Sequence, residues 1–232
     1  MRFLALLCVF LTAGAYGATP APASASAEGA ARPTILVLGD SLSAGYGMNV
    51  AQGWVALLAK RIDAQGYGYR IVNASSSGET TGGGRTRLPR ALDLHQPAIV
   101  VIELGSNDGL RGLPLEQIRT NLNAMITLSK SRGARVLLLG MQIPPNYGAI
   151  YTAGFQATFR ELAAQHGLVL VPFLMDGVAL DSELMQEDDL HPNAAGQPRL
   201  LDNVWPFLEP MLQRNVNSQR STPAAGSVTS AR

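Results

Sequence analysis

Five short β-prone runs constrain this chain most: Ile35-Leu36-Val37-Leu38, Tyr69-Arg70-Ile71-Val72, Ile99-Val100-Val101-Ile102, Val136-Leu137-Leu138-Leu139 and Leu168-Val169-Leu170-Val171. Strands that are apolar along nearly their whole length are buried on both faces, as in a parallel sheet. Parallel neighbours need a crossover of a dozen or more residues, usually a helix. The stretches between the runs supply one each time. Residues 54–64 carry Trp54, Leu57, Leu58 and Ile62 at helical spacing and stop before Gly66. Further helices are predicted over about 85–94, over 114–132 and over about 149–166. Pro114 suits a first turn, and Gly133 and Gly167 suit helix ends. A last helix is expected from Asn193, broken near Pro206. The alternation predicts an α/β fold: a flavodoxin-like three-layer α/β/α sandwich on a five-stranded parallel sheet.

The remaining features bound the domain. Of 232 residues, 47% are hydrophobic and 15% charged, a globular balance. The net charge of +1, without a long charged block, gives no reason to expect nucleic acid as a partner. Arg85, Arg87 and Arg90 form the densest cationic cluster and read as a solvated helix face. Residues 1–17 have the layout of a secretory signal: Arg2, an apolar run to Leu11, then small residues. The run is shorter than the about 20 residues a membrane span needs, so no stable membrane anchor is expected. Residues 18–33 and 214–232, rich in Ala, Pro, Ser and other small or polar residues, read as a mobile leader and tail, leaving 34–213 as one domain. The single cysteine, Cys8, lies inside the signal. The mature chain would then lack disulfides, cysteine nucleophiles and thiolate metal sites. The protein is expected to be exported, periplasmic or secreted, and monomeric.

In a parallel α/β sheet, ligands gather beyond the carboxyl ends of the strands. The first run exits into Gly39-Asp40-Ser41-Leu42-Ser43, the second into Asn73-Ala74-Ser75-Ser76-Ser77-Gly78-Glu79, and the third into Glu103-Leu104-Gly105-Ser106-Asn107-Asp108-Gly109. One such loop is ordinary turn composition; three in consecutive units suggest a site. A serine nucleophile needs a base, and the chain has three histidines. His95 and His166 each end a predicted helix and suit that structural role. His191 lies outside regular structure, with Asp188 three residues back and able to accept a bond from its imidazole. A polar turn capping the last helix, with Asn193 as N-cap, explains the same residues equally well from spacing alone.

These segments resemble the blocks of the GDSL, or SGNH, hydrolase family. Gly39-Asp40-Ser41-Leu42 is similar to the first block, Gly78 to the glycine of the second, Asn107 to the asparagine of the third, and Asp188-x-x-His191 to the last. The order is that of the family. The resemblance implies an acyl-ester or thioester hydrolase without cofactor or metal. Ser41 would be the nucleophile, His191 the base and Asp188 its orienting carboxylate. The backbone N–H groups of Ser41 and Gly78 and the Asn107 amide would form the oxyanion hole. Asp40, Ser43 and Asp108 would support the reacting groups, and the spacing of Asp189 is wrong for the triad. Gly109 and Leu110, with Ile143, Pro144 and Tyr147, look like the family's acyl-pocket walls, while ordinary loop packing explains them as well. Ser106 stands where the thioesterase branch has a second glycine, which bears on local loop geometry. The expected substrates are small acyl molecules: medium to long acyl thioesters, carboxylic esters and lysophospholipids. A short-chain arylesterase or carbohydrate deacetylase of the same family is the nearest alternative. A flavodoxin-like binding module lacks a phosphate-binding glycine pattern here, and a metal-dependent hydrolase lacks a second histidine at ligand spacing.

Overall fold

In the computed structural model, which describes residues 32–213, five parallel strands form one sheet: β1 (Thr34–Gly39), β2 (Arg70–Asn73), β3 (Ile99–Glu103), β4 (Arg135–Leu139) and β5 (Val169–Val171). The spatial order is β2-β1-β3-β4-β5. β1 and β3 are buried along their full length, as apolar strands covered on both faces must be. The register aligns Gly39 with Glu103 and Val37 with Asn73. The carboxyl ends of β2, β1 and β3 therefore lie side by side, and the chain reverses direction across the sheet at β1. That reversal is where such sheets open a crevice.

The crossovers between parallel strands place the helices on the two faces of the sheet. α2 (Trp54–Ala64) covers one face together with α7 (Gln197–Leu208). α3 (Thr81–His95), α5 (Leu115–Ser131) and α6 (Ala149–His166) pack in that order across the other. Two short helices, α1 (Ser41–Ala44) and α4 (Ser106–Leu110), begin just past the ends of β1 and β3. α2 and α6 occupy the spans expected from spacing. α2 buries Trp54, Val55, Leu58 and Ile62, and α6 stops at Gly167, whose φ of 62° lies in the left-handed region.

Two boundaries differ from the sequence reading. α3 starts at Thr81, not near Arg85, and takes Gly82, Gly83 and Gly84 into its first turns. Glycine is a poor helix former, but the Thr80 hydroxyl caps the Gly83 N–H, and the Asp108 carboxylate accepts from the Thr81 N–H at 2.8 Å. The last helix starts at Gln197, not at Asn193, and runs through Pro206 without breaking there. Asn193 instead closes a turn. Its side-chain oxygen accepts from Ala195 and Gly196 N–H, and its amide donates to the carbonyls of Glu183 and Met185. Burial of Leu200, Leu201, Val204 and Leu208 holds α7 together around the proline. The expected signal segment with Cys8, nearly all of the leader, and the tail lie outside the described residues.

Candidate active site

The position of Ser41 follows from how β1 ends. A Cβ on Gly39 would lie 2.5 Å from Glu103 Oε2 and 2.8 Å from the Ser43 Cβ, so only glycine lets the strand pass this close. Asp40 then caps α1, its carboxylate accepting from the Leu42 N–H at 3.0 Å. Ser41 is the first residue of that helix. Gly45, with φ 77°, terminates it.

His191 comes from the far end of the chain. A bridge between Met185 and Pro192 pins the loop that carries His191. The Gln186 N–H donates to the His191 carbonyl at 2.7 Å, and its side-chain amide reaches the Tyr46 carbonyl at 2.8 Å. The loop is therefore stitched directly to the segment after Ser41. At its tip, Asp188 Oδ1 accepts from the N–H groups of Leu190 and His191 at 3.0 and 2.9 Å. Asp189 takes a left-handed φ of 55° to close the turn.

Three side chains line up across this junction. His191 Nε2 lies 2.8 Å from Ser41 Oγ, and His191 Nδ1 lies 2.6 Å from Asp188 Oδ2. Partial burial acts to raise the Asp188 pKa. The bonds from the His191 ring and from the His191 and Leu190 N–H groups outweigh it and bring the value down to about 2. Asp188 is thus a carboxylate at neutral pH and can only accept. The proton of a neutral imidazole must sit on Nδ1, which leaves Nε2 to take the Ser41 proton. The Tyr46 ring lies against the imidazole with centroids 4.6 Å apart.

The other two strand ends converge on the same place. The Asn107 amide donates to Asp40 Oδ2 at 3.2 Å, which ties the start of α4 to the residue before Ser41. The Ser76 N–H donates to the Gly39 carbonyl at 3.0 Å, and Arg111 Nη2 donates to the Gly78 carbonyl at 3.2 Å. Gly78 itself has φ 76°. Its loop is thereby held between the end of β1 and the end of α4. Asp40, Ser43 and Asp108 take supporting places: Ser43 Oγ donates to Glu103 at 2.7 Å, and Asp108 receives both the N–H and the hydroxyl of Thr81.

The five residues expected to line the acyl pocket divide into two groups. Gly109 and Ile143 are buried against each other, with a Cβ on Gly109 falling 2.7 Å from Ile143 Cγ2 and 2.9 Å from the Phe155 ring. Leu110, Pro144 and Tyr147 lie outside them, and the Tyr147 hydroxyl donates to the Leu110 carbonyl at 2.8 Å. His95 and His166 end α3 and α6 away from this cluster, and His166 pairs with Asn123 at 2.6 Å. Arg85 and Arg90 are exposed on α3, while Arg87 pairs with Glu79. No group of three or more His, Cys, Asp or Glu suited to a metal ion occurs among the described residues. A cavity of about 460 Å³ bordered by Pro33, Tyr69, Ala98 and Arg135 lies at the opposite, amino ends of the strands and holds no nucleophile and base.

Two participants escaped the sequence reading. Glu103, fully buried at the end of β3, accepts from the Asp40 N–H at 3.1 Å. A lone acid closing an otherwise apolar strand was the available signal. Tyr46 offered none, because nothing local places its ring on His191.

Comparison with known proteins shows the family. Residues 37–199 match the model of the GDSL-like Lipase/Acylhydrolase family. The chain is 53% identical to esterase TesA of Pseudomonas aeruginosa over 79% of its own length and 91% of that protein. It is 44% identical to an arylesterase of Vibrio mimicus (77% and 90% covered) and 40% identical to thioesterase 1/protease 1/lysophospholipase L1 of Escherichia coli K12 (80% and 88% covered). A crystal structure of TesA superposes with a TM-score of 0.76 over 77% of this chain and 99% of that one. With a matching family model over most of the described domain and relatives of this similarity, the chain belongs to the GDSL-like lipase/acylhydrolase family.

Proposed function

We propose that the chain is a serine hydrolase that cleaves acyl thioesters and carboxylic esters, lysophospholipids among them, through an acyl-enzyme on Ser41. The observation that carries this reading is the unbroken path from Ser41 Oγ through both nitrogens of His191 to Asp188, at 2.8 and 2.6 Å. Ser41 Oγ attacks the acyl carbonyl as His191 Nε2 takes its proton. The tetrahedral oxyanion is held by the N–H groups of Ser41 and Gly78 and by the Asn107 amide. Collapse expels the alcohol or thiol, which leaves with the proton from His191. Water then repeats the sequence on the acyl-enzyme and releases the free acid. No step calls for a metal or cofactor.

The names of the relatives support ester and thioester substrates alike. Leu110, Pro144 and Tyr147, backed by Gly109 and Ile143, offer the apolar wall that an acyl chain needs. The Arg2-led apolar segment supports export to the periplasm or beyond. Among the described residues no helix is long and apolar enough to cross a membrane. We take the working form to be a monomer.

A fluorophosphonate probe tests the mechanism, and a chain-length series of nitrophenyl esters tests the substrate class. Labelling is expected on the peptide that contains Ser41, and Ser41→Ala should abolish it; labelling elsewhere would sink the assignment. Octanoate is expected to be cleaved faster than acetate. The reverse order would favour the short-chain arylesterase or deacetylase reading.

A further inference from the structure

Behind the nucleophile lie two carboxyl groups that the mechanism above does not use. Asp40 and Glu103 are both fully buried. The six ion pairs among the described residues include neither of them. Two like charges side by side in a dry site, without a cation bound to either, are far more costly than one charge and one proton. Their donors say which group is which. Asp40 Oδ1 accepts from the Leu42 N–H and Oδ2 from the Asn107 amide. Glu103 Oε2 accepts from the Asp40 N–H and the Ser43 hydroxyl. Glu103 Oε1 is sealed from solvent and meets no donor. An ionised oxygen in that position would be an unsatisfied buried charge. A hydroxyl there carries no charge, and the neighbouring carboxyl, Asp40, whose own N–H already donates to Glu103 Oε2, is the group with which it would share a proton.

We propose that Asp40 and Glu103 share one proton, held on Glu103, and that neutral Glu103 is thereby a positioning residue for the oxyanion donor Asn107. Burial raises Asp40 to about 6, whereas burial and the adjacent Asp40 charge raise Glu103 well above the ordinary carboxyl range, so Asp40 is the anion of the two. As an anion Asp40 can only accept. It therefore selects the NH2 end of the Asn107 side chain and repels the carbonyl end. One amide hydrogen is held by Asp40, and the other is directed away from it, free for substrate. A protonated Asp40 could donate to the Asn107 oxygen and turn the amide round. The Glu103 hydroxyl guards against this by stabilising the Asp40 charge. The same bond network joins β1, α1, β3 and α4, so the donor is set from the sheet edge and not from a mobile loop.

The proposal rests on Asn107 serving the oxyanion, and its test separates the two. The infrared spectrum of the wild-type protein at neutral pH should contain the carbonyl stretch of an un-ionised buried carboxylic acid. Glu103→Gln should remove it. Absence of the band from the wild type, or its survival in Glu103→Gln, overturns the shared proton whatever the variants' activity. In kinetics, Glu103→Leu should lower kcat by about 10²-fold with KM little changed, the low end of what loss of an oxyanion donor costs. Glu103→Gln supplies a neutral donor of the same shape and should recover most of that rate. Equal losses in Gln and Leu would mean that a charge on Glu103 is required, and would overturn the proposal. A Leu variant as fast as wild type would overturn the positioning role. Fluorophosphonate labelling of Ser41 is followed in parallel. Unlabelled wild type would refute the serine-hydrolase reading, whereas a labelled wild type without the infrared band refutes only the shared proton.

Discussion

Asn107 has two amide hydrogens, and Asp40 occupies one of them at 3.2 Å. The second is what the proposed mechanism needs, since a developing oxyanion is stabilised by donors already aimed at it. Asn107→Ala should lower kcat by about 10²–10³-fold, leave KM near the wild-type value and leave the thermal unfolding curve in place. Steady-state kinetics on a nitrophenyl ester, with a melt on the same sample, checks all three; undiminished turnover would remove Asn107 from the oxyanion hole. Ser41, Asp188 and His191 could be singled out in the sequence through the ordered family blocks they resemble, since spacing alone explained Asp188 and His191 equally well as a polar turn. Glu103 was not legible, since its partners Asp40 and Ser43 reach it through the parallel register that pairs Gly39 with Glu103. No local pattern encodes that pairing. The five residues expected to line an acyl pocket could be read as loop positions, but spacing could not say that Gly109 and Ile143 would be buried against each other.

At the scale of elements, α2 could be read from its regular apolar spacing, and α6 from the glycine that follows its end. α3 could not, because its first turns are Gly82, Gly83 and Gly84 and its N-terminal support comes from Asp108, 27 positions away in sequence. Long-range contacts override glycine's low propensity there, and Gly82 and Gly84 should respond differently. A Cβ on Gly84 would meet Leu104 Cδ1 at 2.3 Å, where helix α3 crosses the exit from β3. Gly84→Ala is expected to destabilise the protein by about 1–3 kcal/mol, the usual cost of overpacking a tight contact. A Cβ on Gly82 would find its nearest neighbours at 3.7 Å, an ordinary contact. Gly82→Ala should therefore stabilise by up to about 1 kcal/mol through helix propensity alone. Denaturant unfolding of the two single variants decides it. If both substitutions moved stability in the same direction, the close approach of α3 to Leu104 would not be what limits position 84. The start of α7 follows the same logic. Asn193 looked like an N-cap by residue type, yet its side chain is engaged by the backbone of 183–185 as well as by the turn ahead of the helix.

For the whole molecule, the site's carboxyl groups pull stability in opposite directions with pH. Asp188 is lowered from 3.8 to about 2. Its contribution is present above 3.8 and is lost as pH falls through about 2. Asp40 is raised from 3.8 to about 6, and Glu103 is raised well above 4.5, both first by burial. For these two the folded state keeps its proton after the unfolded chain has released it. Stability is then fully present below the unfolded values and falls as pH rises towards the folded ones. Glu103→Gln removes one of these groups and keeps the shape. The wild type and this variant should therefore have their most similar pH response in acid, and the wild type should lose Tm relative to the variant as pH rises from about 5 to 8. A change of about 1 kcal/mol moves Tm by about 2–4 °C in a domain of this size, so the divergence is measurable by calorimetry. Parallel curves across the whole range would mean that Glu103 ionises alike in the folded and unfolded chains. A divergence of the expected sign would mean that the fold carries a stability cost at neutral pH for the buried acid behind Ser41, and that the cost is located where Asn107 is anchored.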